Sequence, residues 1–592
     1  MRVSKSSEGL TVRAIAGTHN IILGIDLDEK KRKGCLGFSI QRAKVDPKKK
    51  GEPEWKYLTN RLRFPHDKGA GPITSETSPV QKFRWGDFTT DPATEYRYRV
   101  TARYGTWDKL KDGPTVELDV KTEDPSSLAT AVFFNRGAAA SQAYNNEFGE
   151  LDPDKLDPQK RMEALAWLSR GLEEALLAFM AQAKDKGYAI HAAIYEFQKP
   201  ELLAGLVDAA KRHAEVKAVY HHRKATEKDT TWDKNDKAVA AAKLEAAGVV
   251  VHQRKADPQN AISHNKFVVL LHNGKPQAVW TGSTNWTEGA IYGQLNVGHA
   301  VYDEKVAGAY EQYFQLLFSD AKADEIKAAA RKLSPVLDQK ELPPGPGVYP
   351  ILSPQTTEDM LTLYAGLCGK AHHLMVSAPF ALAQVLLDTF SSKNKPPGTL
   401  HYLLVDKESS LGKPEEIKII EGDPANEIGA ATTIKSPLHD FQQRLLMGKE
   451  SFHHAGIHIH SKIIAVDPLG PDPIIVTGSA NFSNNSTLHN DENSVVIRGN
   501  TAVADIYATE FMRMFEHYHF RGSVAKENEK RKGAGKAAVD EPIVLKDDDT
   551  WSDRYYVAGS HDALDRQLFA GTGDQGAHAA KPAGHAGAHV KK

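Results

Sequence analysis

Cysteine is nearly missing from this sequence: Cys35 and Cys368 are the only two in 592 residues, and they lie far apart. A disulfide scaffold and a cysteine-rich zinc module are thereby excluded, and the low count fits a reducing compartment. No apolar run approaches the ~20 residues that a membrane-crossing helix needs. Met1-Arg2-Val3-Ser4-Lys5 leads into no apolar stretch of the secretory-signal kind. The expectation is a cytoplasmic protein without integral membrane contact, signal-independent export being left open. An excess of charge is lacking too, since 75 Lys and Arg stand against 76 Asp and Glu, a net of -1. That argues against a nucleic-acid coat protein or a polybasic membrane binder, while leaving room for a local basic groove. What remains is 41% hydrophobic and 26% charged, the composition of an ordinary globular chain with material for more than one core.

Residues 1–124 read as strands and turns. Tyr96-Arg97-Tyr98-Arg99-Val100-Thr101-Ala102 and Thr115-Val116-Glu117-Leu118-Asp119-Val120-Lys121 alternate with a period of two. Pro, Gly and charged clusters such as Asp46-Pro47-Lys48-Lys49-Lys50-Gly51 separate the runs. About seven short strands suggest a small all-β sandwich, and the Tyr-x-Tyr-x-Val strand followed by a hairpin resembles a fibronectin type III module.

From residue 128 strands alternate with helices. A long amphipathic helix is predicted over 161–184, a buried-type strand over 189–195, a helix over 200–213, a strand over 216–220, a helix over 236–247 and a strand over 249–252. The pattern restarts after Glu341-Leu342-Pro343-Pro344-Gly345-Pro346-Gly347, with helices over 358–367 and 382–391 and strands over 373–377 and 400–405. Such alternation means α/β sheets with helices on their faces. The domains expected are therefore the sandwich (1–124), an α/β half (128–340), a second (348–521) and a charged, then Gly/Ala/His-rich tail (522–592), solvated or partly disordered. Within that tail the aromatic Trp551-Ser552-Asp553-Arg554-Tyr555-Tyr556 is suited to pack back onto a domain.

Two segments match at a constant offset of 196 residues: His264-Asn265-Lys266 with Gly282-Ser283-Thr284-Asn285, and His460-Ser461-Lys462 with Gly478-Ser479-Ala480-Asn481. One such pair is noise; two, equally spaced on matching strands, are not. Each histidine and lysine lie two apart in an apolar β-run and so project from one face. Gly282 and Gly478 would allow backbone to approach a ligand. Imidazole, ammonium, hydroxyl and amide together suit a phosphoryl centre, the imidazole for attack and proton transfer and the others for its oxygens.

His-x-Lys-x4-Asp with Gly-Ser-x-Asn, present twice, resembles the signature of the phospholipase D superfamily. The second copy is complete from His460 and Lys462 to Asp467, with Ser486, Asn490 and Glu492 also in pattern, and the resemblance covers roughly residues 130–520. It implies two similar α/β halves with mixed sheets about a pseudo-two-fold axis, one shared site, a covalent phosphohistidine intermediate, and neither cofactor nor metal. It makes His264, Lys266, His460, Lys462 and Glu492 catalytic, Ser283, Asn285, Ser479 and Asn481 phosphate-binding, and Asn296, Asp467 and Asn490 supporting.

The first copy departs from the pattern, with Leu271, Gln294 and Asn296 where the second has Asp467, Asn490 and Glu492. Seven residues separate His460 from Asp467, an odd number, so that aspartate belongs to the strand end and not to the catalytic face. Some superfamily members pair each histidine with a polar residue of the opposite half. Glu492 would then back His264, the nucleophile, and Asn296 would back His460, the acid; pairing within each half reverses the roles.

Several other residues draw attention. His453, His454 and His458 invite a zinc reading that no carboxylate or cysteine at a familiar spacing supports, and His458 shares a strand face with His460. His221-His222 closes a strand, either at a site lip or simply exposed, and Arg136 suits phosphate or an ion pair. The function expected is phosphodiester hydrolysis of phospholipid head groups, with a metal-independent nuclease or a binding protein on a decayed fold as alternatives.

Overall fold

In the computed structural model the chain is described throughout except at residues 47, 49–52, 61, 68, 70–72, 138–140, 150, 225–228, 257–260, 339–342, 432–457, 534, 536–542 and 574–592. It forms two compact units. The first comprises Met1–Glu123, Leu469–Asp472 and the described part of Ile543–Lys592; the second comprises the described parts of Asp124–Pro468 and Pro473–Pro542.

The strands of the first unit are β1 (Arg2–Ser7), β2 (Leu10–Ala16), β3 (Ile21–Leu27), β4 (Cys35–Lys44), β5 (Lys56–Tyr57), β6 (Arg84–Asp87), β7 (Glu95–Thr106) and β8 (Lys109–Lys121). They make two antiparallel sheets, ordered β1-β2-β3-β6 and β5-β4-β7-β8. In β7 the period of two buries Tyr96, Tyr98 and Val100, while Arg97 and Arg99 pair across to Asp119 and Glu117. Trp551 and Tyr555 complete the core: Trp551 stacks on Phe83 at 5.3 Å and donates its indole N–H to the Cys35 carbonyl at 2.9 Å.

The tail expected from residue 522 is therefore not one solvated segment. The helix Thr501–Gly533 carries the Lys526–Lys532 charge run, and the aromatic segment beyond it is built into the first unit. The tail histidines His578, His585 and His589 lie outside the described residues.

The second unit holds two sheets of seven strands. The first contains β9 (Thr130–Phe134), β10 (Tyr188–Ile194), β11 (Glu215–His221), β12 (Val250–Arg254), β13 (Lys266–His272), β14 (Lys275–Gly282) and β15 (Val297–Val301), ordered β12-β11-β10-β13-β14-β15-β9. The second contains β16 (Gly347–Ser353), β17 (His373–Ala378), β18 (Leu400–Val405), β19 (Asn426–Ala430), β20 (Ile463–Val466), β21 (Ile474–Gly478) and β22 (Glu492–Arg498), ordered β19-β18-β17-β20-β21-β22-β16. The two orders are the same path. In each, three parallel strands (β10 to β12, β17 to β19) meet an antiparallel set at the strand that follows the HxK motif. Those central strands are covered on both faces, which is why Phe267-Val268-Val269-Leu270-Leu271 is apolar without alternation and buried throughout.

The helix expected over 161–184 is two, Pro158–Ser169 and Leu172–Met180, because Arg170 (φ 53°) and Gly171 (φ 90°) turn the backbone left-handed between them. Arg170 then reaches Glu510 at 2.7 Å, and Arg513 meets the same carboxylate at 2.9 Å. Burial raises the Glu510 carboxyl, but the two guanidinium groups outweigh that and hold it below the usual carboxylate range. Arg136 stands over the Trp167 ring at 4.0 Å and donates to the Trp167 carbonyl at 2.7 Å. Its place is structural, inside the α/β packing.

Candidate active site

The HxK segments lead into β13 and β20, Lys266 being the first residue of β13, on the axis where the two halves touch. Single β-bridges join them: Ser263 with Asp491, and Leu295 with Ile459, each pair related to the other by the offset of 196. His264 N–H donates to the Asp491 carbonyl at 2.8 Å, and His460 N–H donates to that of Leu295 at 3.1 Å. Each catalytic candidate is thus clipped to the other half, beside the residue that contacts its ring.

That contact crosses the halves. His264 Nδ1 lies 2.8 Å from Glu492 Oε2, and His460 Nδ1 lies 2.9 Å from Asn296 Oδ1. The proton positions follow. The Asn296 amide nitrogen donates to the Ala290 carbonyl at 3.0 Å, so its oxygen is the atom turned to His460, and an oxygen there requires Nδ1–H. A carboxylate demands the same of His264. Both imidazoles therefore present Nε2 to the site.

Ser283 and Ser479, expected to bind phosphate, serve a different purpose. Ser283 Oγ donates to Asn296 Oδ1 at 2.8 Å, and Ser479 Oγ donates to Glu492 Oε2 at 2.7 Å; each also accepts a strand N–H, from Val297 at 3.1 Å and Asn493 at 2.9 Å. With the single proton of each donated behind the imidazoles, these hydroxyls have none to offer a phosphate oxygen, and they orient the backing groups. Gly282 and Gly478 are likewise explained by packing. At φ +151° and +155°, a Cβ on either would stand 2.3 Å from the carbonyl oxygen of Val297 or Asn493, so the close approach is to the neighbouring strand.

His264, Lys266, His460 and Lys462 are 3%, 2%, 0% and 1% exposed, so their charges act with little water between them. Lys266 Nζ donates to the His264 carbonyl at 2.9 Å and lies over the Tyr195 ring at 5.2 Å. Lys462 Nζ donates to the His460 carbonyl at 2.8 Å and stands 2.9 Å from His460 Nε2. Burial raises the Glu492 carboxyl, but His264, Lys266 and the Ser479 hydroxyl outweigh it, and the group is held below its ordinary range. Asn490 Nδ2 reaches Glu492 Oε1 at 3.3 Å. Asn285 Nδ2 donates to Glu196 Oε2 at 2.7 Å. Asn481 occupies the matching position in the second half.

Asp467 Oδ1 accepts the N–H of His372 at 3.0 Å and of His373 at 2.7 Å, closing the end of β20 away from the histidines. Leu271, its counterpart, is simply buried. His221 is neither exposed nor at a lip: it is fully buried, and its Nδ1 accepts the Ser263 N–H at 3.2 Å. His453 and His454 lie outside the described residues. His458 donates its N–H to Asp406 Oδ1 at 2.8 Å.

Sequence reasoning missed Tyr195, Glu196, Asp406, Asp491 and Arg254. The His264 ring meets the Tyr195 ring edge-on at 4.9 Å, and Arg254 ties the halves through Asp491 at 3.1 Å. Tyr195-Glu196 ends a strand already recognised, so position alone could have flagged it. Asp491 follows Asn490 with no repeat to announce it, since the first half has Leu295 there.

The sequence model of the family described as "Cardiolipin synthase, PLD-like domain" matches residues 176–318 and 404–515. No curated protein matches the chain. Among solved structures, phosphatidylserine synthase from Haemophilus influenzae is 12% identical over 63% of this chain and 94% of its own, with a TM-score of 0.42. Polyphosphate kinase from Porphyromonas gingivalis is 11% identical over 56% of this chain and 46% of its own, so that this chain spans about half its length, with a TM-score of 0.35. Yeast tyrosyl-DNA phosphodiesterase is 14% identical over 56% of this chain and 88% of its own, with a TM-score of 0.30. The two equivalent sheets, the paired HxK segments at their junction and a family match that falls in both halves liken the chain to the phospholipase D superfamily, whose members are phosphodiester-acting enzymes.

Proposed function

We propose that the chain hydrolyses phosphodiesters through a covalent phosphohistidine, and that its substrates are phospholipids cleaved at the head group. The carrying observation is the cross-half pairing, a carboxylate behind His264 and an amide behind His460. The Glu492 charge stabilises the positive ring that His264 acquires on bonding to phosphorus, which suits a nucleophile. An amide gives no such stabilisation, so a protonated His460 surrenders its Nε2 proton more readily.

In the first step the His264 Nε2 lone pair attacks phosphorus in line. The bond to the leaving oxygen breaks, and that oxygen takes the proton from His460 Nε2. Water then attacks phosphorus and passes a proton to His460, the N–P bond breaks, and His264 recovers its lone pair. Lys266, Lys462 and Asn481 neutralise and hold the non-bridging oxygens, and Asn285 is kept in place by Glu196. No step uses a metal.

The lipid assignment is supported by the family description, which names a cardiolipin synthase, and by the near-zero net charge of -1, which gives little of the general attraction to nucleic-acid phosphates that a nuclease uses. No helix among the described residues is long and apolar enough to cross a membrane.

A panel of choline phospholipid, cardiolipin, single- and double-stranded DNA and RNA tests the substrate class, with His264→Ala as control. Turnover of nucleic acid but not lipid refutes it. Turnover of nothing points to a binding protein. The roles are tested with a p-nitrophenyl phosphodiester, whose leaving group departs without a proton. His264→Ala should abolish its cleavage. His460→Ala should give a burst of p-nitrophenolate and leave the remaining phosphoryl ester trapped on His264, detected by mass spectrometry. The adduct on His460 in the His264→Ala protein would reverse the assignment.

A further inference from the structure

At the ends of the parallel strands β11 and β18 the two halves place different acceptors at one equivalent position. Across β10, Ile194 pairs with both Lys266 and Tyr220, and His221 is the next residue. In the second half Ser377 pairs with Ile463, Ala378 with Val405, and Asp406 is the next residue. Register therefore equates His221 with Asp406. His221 Nδ1 accepts the N–H of Ser263 at 3.2 Å. Asp406 Oδ1 accepts the N–H of Ile459, which lies 196 positions after Ser263, at 3.0 Å, and that of His458 at 2.8 Å. His221 donates Nε2–H to the Arg223 carbonyl at 2.8 Å, which leaves Nδ1 as a lone pair for Ser263.

Ser263 and Ile459 are the residues immediately before His264 and His460. Each is held from one side by His221 or Asp406, and from the other by its bridge to the opposite half. In the second half the chain of contacts is continuous. Asp406 grips 458 and 459; Leu295 N–H donates to the His458 carbonyl at 2.8 Å, and His460 N–H donates to the Leu295 carbonyl at 3.1 Å. Asn296, next along, meets His460 Nδ1. Strand β20 begins only at Ile463, so the ladder of the sheet does not fix this arm. Asp406 is itself 4% exposed and lies in a position to do so.

We infer that Asp406 is the positioning residue for His460. It sets the register of the inter-half bridge, and through it the geometry in which the imidazole meets Asn296 and the substrate. His221 does the same for His264. The inference rests on the proposed division of labour only for the direction of the effects below.

The experiment compares full-length Asp406→Ala, Asp406→Asn, His221→Phe and His460→Ala in single turnover on two substrates, a p-nitrophenyl phosphodiester and choline phospholipid with its poor leaving group. A misplaced acid harms only the substrate that needs one. Asp406→Ala should slow the phospholipid by roughly 10²-fold, in the range for displacement of a catalytic group, and the activated ester by less than about fivefold, the same selectivity as His460→Ala. Asp406→Asn keeps an acceptor oxygen and should recover most of the loss. His221→Phe should slow both substrates alike. A purely structural role predicts equal losses on both substrates and no rescue by asparagine. Melting curves of the two Asp406 variants separate unfolding from misplacement, with Asp406→Asn carrying the test if the alanine variant does not fold. Equal losses with Asp406→Ala beside a selective His460→Ala overturn the inference, as does an unaffected Asp406→Ala. If His460→Ala is itself unselective, the division of labour has failed instead, and Asp406 is judged by whether its profile still parallels that of His460.

Discussion

Replacing Glu492 by glutamine removes one charge from behind His264 and changes little else. Glutamine can present Oε1 to His264 Nδ1 and Ser479 Oγ, which stand at 2.8 and 2.7 Å. Its amide nitrogen then faces Asn490 Nδ2, but across a weaker contact of 3.3 Å, so the imidazole keeps its tautomer. The arrangement becomes the one that Asn296 already makes with His460. A unit charge about 4 Å from the positive ring, at an effective dielectric near 20, is worth about 4 kcal/mol. The neutral hydrogen bond that replaces it returns about 1 kcal/mol, and part of the remainder is lost to relaxation. A barrier increase of about 2–3 kcal/mol, roughly 30- to 150-fold in rate, follows. The assay is the pre-steady-state burst of p-nitrophenolate, which reports attack by His264 without needing the acid. Asn296→Asp makes the reciprocal change, and should slow the phospholipid more than the activated ester, because a charge behind His460 holds its proton. A Glu492→Gln burst within about threefold of wild type, against that expected range, would refute the electrostatic account and leave Glu492 as an orienting group only.

Three further outcomes are expected. Trp551→Ala should destabilise the first unit by about 3–5 kcal/mol, seen as an earlier calorimetric transition, while p-nitrophenyl ester turnover is unchanged; loss of turnover with the fold intact would place the first unit in the site. Glu510→Ala leaves Arg170 and Arg513 buried without their shared carboxylate and should destabilise the second unit by about 3–5 kcal/mol, a shift that denaturant melts would miss only if the arginines find water. Burial pushes the Asp406 carboxyl up to about 6 from 3.8, its hydrogen bonds from Ile459 and His458 and the nearby Lys407 opposing, with Tyr518 of the long helix also facing it. A raised folded value means that the native state binds more protons between those pH values. Its contribution is therefore most favourable below about pH 4 and falls as pH rises through 6, by about 3 kcal/mol in all. Urea melts of wild type and Asp406→Asn should diverge in favour of asparagine between pH 4 and 7, and a pH-independent difference would contradict this.

Local order of the chain was legible because it depends on periodicity. The alternation in β7, the apolar run of β13 and the doubled HxK with its GSxN partner are statements about neighbours in sequence, and two copies at one offset marked both halves and their two His/Lys pairs. The break at Arg170–Gly171 was not legible, since an arginine in a left-handed turn breaks no helical pattern. That the Trp551 segment packs back onto a domain was legible, but not that the domain is the one holding Phe83, more than 400 residues earlier in the chain. Ser283 and Ser479 show the limit most clearly. The motif brings a hydroxyl near each imidazole but does not say whether it faces the substrate or the residue behind. That depends on which strand N–H it must satisfy, and only the register of β14 on β15 and β21 on β22 decides it.

By itself, then, the sequence determined the residue types of the site, the duplication and the Glu492/Asn296 asymmetry. The tertiary structure alone decided which histidine owns which partner. His264 and Glu492 are 228 residues apart, as His460 and Asn296 are 164, and a pairing across that distance is set by two sheets docking about an axis. Their inter-half bridges fix the backbone of each histidine beside the other half's acceptor before any side chain is chosen.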